Sequence, residues 1–234
     1  MNESSILKTN TNLEEENFNK NISILIKKIR KVSYLMIKRL FDLCGAMIGL
    51  ILLSPLFMIV VILIKLEDNG SAFFIQERIG KNGKIFKLYK FRSMVHNADE
   101  ILKEMLKDPK IKKEYKKNMK LTQDPRITKI GNFIRKTSID ELPQLINVLK
   151  GEMSLIGNRP YLPREKQDMS YHYDDIIKSK PGLTGYWQVN GRSKTTFEDR
   201  CKLERYYSNH MNLLLDLKIF LLTFYVVFTG KGAE

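Results

Sequence analysis

Charge disappears from this chain once, over about 22 residues: "LCGAMIGLILLSPLFMIVVILI", Leu43 to Ile64, contains none. About 20 apolar residues in a helix match the thickness of a bilayer core, so the segment is expected to enter a membrane. Ser54 and Pro55 interrupt it near its middle. Proline removes one ladder donor and crowds the carbonyl of Ile51, four residues back, and Ser54 can bond that carbonyl. A kinked span and a re-entrant helix hairpin both fit this pattern. Lys27, Lys28, Arg30, Lys31, Lys38 and Arg39 precede the run, and Lys65, Arg78, Lys81, Lys84, Lys87 and Lys90 follow it. For a single span the denser first cluster predicts an inside N-terminus and an outside body. A hairpin keeps both flanks on one anionic surface, and it is the favoured reading.

Elsewhere the apolar pattern is shorter. Residues 1–30 are polar and read as a mobile tail. "AFFIQERIG" and "KIFKLYKF", separated by Lys81-Asn82-Gly83, predict a β-hairpin. Ile101 to Lys120 carries eight lysines against three acids, with apolar residues at intervals. Such a segment suits a basic helix on lipid, or equally a solvated helix packed on the body. Ser138 with Glu141 resembles a capping box, Pro143 fits the first turns of the helix that follows, and Gly151 ends it. "MSLIG" reads as a strand. Leu213 to Phe228 is too short for a span and suits a docked or partly immersed helix. The fold class is α+β, predominantly helical, with small β elements.

Forty Lys and Arg against 26 Asp and Glu leave a net charge of +14, which calls for an anionic partner: nucleic acid, lipid or a phosphorylated substrate. No nucleic-acid reading motif stands out, so that partner is not expected. Cys44 and Cys201 are far apart in sequence and Cys44 lies in the apolar run, which points to a reducing compartment. The chain has no zinc pattern, Walker loop, Rossmann fingerprint or nucleophile elbow, and His96, His172 and His210 are scattered.

The candidate chemistry lies in "FKLYKFRSMVHNADEIL", where Asp99 and Glu100 follow Lys90 and Arg92. Asn97 and Glu100 have capping-box spacing, and acids in a first helical turn favour the macrodipole. The same carboxylates could hold a metal ion or attack phosphorus while the cations hold phosphate oxygens. Downstream, turns near Arg135, Arg159 and Arg192 could aim guanidinium forks at one diphosphate.

In order, "KRLFD", the run with Ser54-Pro55, "KLYKFRSM", Asp99-Glu100, "RKTSIDELPQLINVLKGEMSLIG", "RP", "KPGLTGYWQVNGR" and "LDLKI" resemble the bacterial sugar transferases, monotopic polyprenyl-phosphate phosphoglycosyl transferases. The resemblance implies a basic flank and re-entrant membrane helix hairpin over residues 31–66. It also implies a membrane-associated catalytic domain over residues 67–234, on the cytoplasmic face of a bacterial cell membrane. The activity implied is transfer of a sugar 1-phosphate from a UDP-sugar to polyprenyl (undecaprenyl) phosphate, releasing UMP and initiating surface polysaccharide synthesis. Asp99 would be the nucleophile, forming a phosphosugar-aspartate. Glu100 would position it or bind Mg²⁺, to which both acids are candidate ligands. Lys90, Arg92, Arg135, Arg159 and Arg192 would bind substrate. "YWQVNGRS" resembles members that transfer a hexose 1-phosphate, and a homodimer is compatible with the pattern. Asn158 stands where the family commonly has proline, which bears on the rigidity of the Arg159-Pro160 turn, and Glu204 replaces a frequent aspartate. A membrane-docked scaffold or regulator of glycan assembly is the alternative, but it would be expected to lose the dyad or its cations, and both are intact.

Overall fold

The computed structural model describes residues 3–118, 121–191 and 195–229. The chain is mostly helical with two small sheets, as its sequence predicts. Helix α1 (Glu3–Glu67) includes the polar segment read as a tail, and helical structure runs through Ser54 and Pro55. Ser54 Oγ donates to Ile51 O at 2.8 Å, so the carbonyl deprived of its donor by Pro55 is satisfied.

The chain forms two compact units, residues 1–41 and 42–234. In the first, Ile22, Leu25, Ile26 and Ile29 recur at helical spacing and are exposed. The second contains both the apolar run and the body. Packing explains this: Ala46, Leu50 and Leu53 meet Phe86, Leu88, Leu145, Val148 and Met153. Beyond the proline, Leu56, Phe57, Val60 and Ile64 meet Ala72, Phe91 and Ile134. The other face exposes Ile51, Leu52, Met58, Ile59 and Leu66.

Strands β1 (Phe73–Ile79) and β2 (Ile85–Phe91) form the expected antiparallel hairpin, with Asn82 and Gly83 at positive φ in its turn. Helices α2 (Ala98–Met105), α3 (Pro109–Asn118), α4 (Lys129–Lys136) and α5 (Gln144–Lys150) follow. Asn147 of α5 accepts from Tyr89 N–H and donates to Lys87 O, covering the edge of β2. The capping box at Ser138 does not form. Ser138 is left-handed and makes no side-chain cap, and Glu141 turns away to Lys90. Gly151 does end α5, at φ 80°. Strand β3 (Ser154–Ile156) pairs in parallel with β4 (Gly182–Thr184), with the short α6 (Tyr173–Ile176) between them. Helices α7 (Tyr186–Asn190), α8 (Phe197–His210) and α9 (Leu213–Thr229) complete the order. Helix α9 buries Asp216, Ile219 and Val226 and exposes Leu214, Leu217, Leu221 and Phe224, the amphipathic docking expected of it.

Asp42 is buried and accepts from Ser154 Oγ at 2.9 Å and from Leu155 N–H at 2.8 Å, tying the start of the apolar run to β3. Removing one partner of a buried bond exposes the full desolvation cost of the other. Asp42→Ala should therefore cost about 1–3 kcal/mol, read as a lower thermal midpoint in detergent.

Candidate active site

Asp99 and Glu100 lie exposed in the first turn of α2. Asn97 occupies the N-cap position but makes no side-chain cap, so the capping-box reading of Glu100 fails. Among the described residues neither carboxylate has an ion-pair or side-chain hydrogen-bond partner, although Asp99 lies within electrostatic range of Arg126. Arg126 is itself taken by Asp124, through Nε at 2.8 Å and Nη2 at 2.6 Å, and this pair is buried.

The segment leading into α2 is held on both sides. Val95 N–H donates to Arg126 O at 2.9 Å, and Thr128 N–H donates to Ser93 O at 3.2 Å. Gly131, in the first turn of α4, leaves room for this approach, since a Cβ there would sit 1.9 Å from Ser93 O. At the end of α1, Asp68 accepts from both terminal nitrogens of Arg92 and from His96 N–H. Glu67 accepts from Lys129 N–H at 2.8 Å at the start of α4. Arg92, expected to face substrate, is thus buried in an ion pair that anchors the dyad segment.

A second cluster gathers Lys90 and Arg159 with residues that sequence reasoning missed. Lys90 on β2 pairs with Glu141 at 2.7 Å. Arg78 on β1 donates to Pro160 O at 2.9 Å. Together with Gln144, Arg159 and Gln188 these residues line one polar pocket. The side chain of Arg78 is buried, and burial together with the Arg159 guanidinium lowers its pKa to about 10, leaving it charged at neutral pH. Burial pushes Glu141 up, but Lys90 outweighs that and holds the carboxyl below its ordinary value. The neighbouring Asp140 is raised by burial to about 6. Three cations against Glu141 leave the lining positive, and the buried Nε atoms of Arg78 and Arg159 have no hydrogen-bond partner. Such a pocket is chemically suited to a phosphate-bearing ligand. Asp99 and Glu100 do not line it. Arg135 lies near Asp124 and Asp140, between the two clusters in electrostatic terms. Arg192 falls outside the described residues.

Residues 33–230 match the family described as bacterial sugar transferase. The chain belongs to the bacterial sugar transferase family. It is 46% identical over 208 residues to galactosyl transferase CpsE of Streptococcus agalactiae, covering 88% of this chain and 45% of that protein. To undecaprenyl-phosphate galactose phosphotransferase of Salmonella typhimurium it is 44% identical over 206 residues, covering 88% and 43%. To exopolysaccharide production protein ExoY of Sinorhizobium fredii it is 42% identical over 197 residues, covering 84% and 87%. The chain therefore spans less than half the length of the first two and most of the third.

The sugar transferase fold places Glu204 of α8 beneath Arg159. Its carboxyl is almost wholly buried and accepts from Arg159 N–H at 2.8 and 3.1 Å. Burial raises its pKa from 4.5 to about 8. Between those values the folded protein holds a proton that the unfolded chain has released, so this group's stabilisation is lost as pH rises. Thermal unfolding from pH 5.5 to 8 should show the midpoint falling, and Glu204→Gln should flatten that slope while keeping an acceptor for Arg159.

Proposed function

We propose that this chain is a phosphoglycosyl transferase that moves a hexose 1-phosphate from a UDP-sugar to polyprenyl phosphate, in the synthesis of a surface polysaccharide. The observation that carries this reading is the uncommitted Asp99-Glu100 pair, in a family member whose relatives include an undecaprenyl-phosphate galactose phosphotransferase. Asp99 attacks the β-phosphorus of the donor, forming a carboxylate oxygen to phosphorus bond. The bond from that phosphorus to the bridging oxygen breaks, and UMP leaves with the electron pair. An oxygen of polyprenyl phosphate then displaces the carboxylate and restores Asp99. Splitting the transfer in this way lets donor and acceptor use one site in turn.

Magnesium fits the donor set, because it binds through one or two carboxylates together with substrate phosphates. Asp99 and Glu100 offer that pair, and among the described residues no cluster of three His, Cys, Asp or Glu side chains forms a separate protein cage. The ion would offset repulsion between the attacking carboxylate and the diphosphate. Arg78, Lys90 and Arg159 would hold the donor's phosphates.

The apolar part of α1 enters the cytoplasmic leaflet as a re-entrant hairpin bent at Ser54-Pro55. Support comes from packing on both sides of the proline. Contacts from Ala46 to Ile64 cover about 27 Å of helix. The body cannot follow a single span through about 30 Å of hydrocarbon, because its polar groups would lose water there.

Detergent-solubilised protein given Mg²⁺, undecaprenyl phosphate and a panel of UDP-hexoses should release UMP from one of them. Asp99→Asn should reduce that release by about a thousandfold or more without loss of folding. Wild-type activity in the variant would remove Asp99 from the chemistry, and silence of a folded wild type across the panel would favour a scaffold. For the topology, single cysteines placed before residue 40 and after residue 67 should both label from the cytoplasmic side. Labelling from opposite sides would establish a span.

A further inference from the structure

Strand β1 opens with three consecutive exposed apolar residues, Phe73, Phe74 and Ile75, at 41%, 45% and 51% of full exposure. A folded body does not ordinarily leave such a run in water without a use for it. Alternation sends Phe73 and Ile75 to one face of the strand and Phe74 to the other. Phe73 stacks on Phe91 with ring centroids 5.4 Å apart, and Phe91 is buried against Val60 and Ile64. That first face therefore continues the apolar surface of α1. Phe74 has a different neighbourhood. It stands opposite Lys90 in the ladder, and the next residues of β1 on its face are Gln76 and Arg78, whose Nη2 donates to Gln76 Oε1. Lys90 and Arg78 are two of the three cations of the polar pocket.

Facing residues of an antiparallel pair hold their Cβ atoms about 5 Å apart. A half-exposed aromatic ring thus adjoins a phosphate-binding lysine, on the side of the pocket that leads to the apolar helix. One ligand meets both surfaces, an anion that carries an apolar chain. Free phosphate would leave the ring in water, and an apolar chain without a phosphate would leave the cations unmatched. We propose that Phe74 is an acceptor-specificity residue: its ring bears on the first isoprene units of a prenyl phosphate whose head is taken by Lys90 and Arg78. This rests on the transferase reading above, in which donor and acceptor use the pocket in turn.

The test uses the full chain in detergent micelles, with Phe74→Cys in a Cys44→Ser background; the remaining Cys201 is buried. Undecaprenyl phosphate should slow maleimide labelling at position 74 by about tenfold, the effect of taking roughly half of a phenyl-sized surface from water. Undecaprenol and inorganic phosphate, each offering one half of the ligand, should leave the rate unchanged. Labelling of Ile75→Cys, on the opposite face, should not respond to any of the three. No protection at position 74, equal protection by undecaprenol or by inorganic phosphate, or equal protection at position 75 would overturn the proposal. In the wild-type background, Phe74→Ala should raise the KM for undecaprenyl phosphate about tenfold and leave that for the UDP-hexose unchanged, while Phe74→Leu should keep most of the acceptor affinity. A rise confined to the KM for the UDP-hexose would overturn the proposal in favour of a ring stacked on the nucleobase. Acceptor-dependent UMP release without protection at position 74 would remove Phe74 and leave the transferase reading standing. Protection in a chain that releases no UMP would do the reverse.

Discussion

Asp68, one residue past α1, accepts from the Arg92 guanidinium through both oxygens and from His96 N–H, while Glu67 beside it holds the first N–H groups of α4. Two adjacent carboxylates at the end of the apolar helix thus fix the segment entering α2 and the helix packed behind it. Arg92 is buried, so losing Asp68 would leave a charge without compensation, a change that typically costs about 3–5 kcal/mol. Gly70 completes the junction, since a Cβ there would meet Arg92 Nη1 at 2.3 Å. The seating of the apolar helix and the position of Asp99 are therefore linked through a short path of hydrogen bonds.

That junction also explains which parts of the site were legible in sequence. Local chemistry read well: Asn82-Gly83 turned the hairpin, Gly151 stopped α5, and Ser54 bonded the carbonyl freed by Pro55. Those outcomes depend on residues within a few positions of one another. The pairing of Arg92 with Asp68 was not legible, because its partner is 24 residues away and nothing in the spacing announces the pair. Glu141 was assigned to a cap for a similar reason. Its partner Lys90 is 51 residues upstream, and the attraction of a cation in a partly buried setting outcompetes a backbone N–H. Arg78 carried one signal, a basic residue inside a strand, and that alone does not say which face becomes a pocket.

Asn158 shows how a turn can be fixed without proline. Its side-chain Nδ2 lies within hydrogen-bond distance of Ile176 O, Ser179 Oγ and Ser208 Oγ, all buried, and its backbone carbonyl accepts from Gly182 N–H at 2.7 Å. A proline would restrict the backbone at this position covalently. Here a polar network restricts it through neighbours on α6, α8 and the approach to β4. Glu204 works from the other side, accepting from the next backbone N–H. Asn158 and Glu204 therefore fix one turn from two sides, the first by tying itself to α6 and α8 and the second by accepting from Arg159 N–H.

Electrostatics then separates two tasks across the site. A carboxylate that is to attack a phosphorus must be ionised and free of a permanent cationic partner, because a tight ion pair ties up the oxygen that would form the bond. Three cations of this region already have partners, Arg92 with Asp68, Arg126 with Asp124, and Lys90 with Glu141. Asp99 and Glu100 are left unpaired without losing their positive surroundings. The pocket works in the opposite sense. Arg78 and Arg159 exceed what Glu141 can neutralise, and an incoming phosphate can compete with that carboxylate for Lys90 because the Lys90–Glu141 pair is only partly buried. For the transfer proposed, donor binding would thus draw on cations held in reserve, while the attacking group stays uncompensated until the diphosphate and its metal ion arrive.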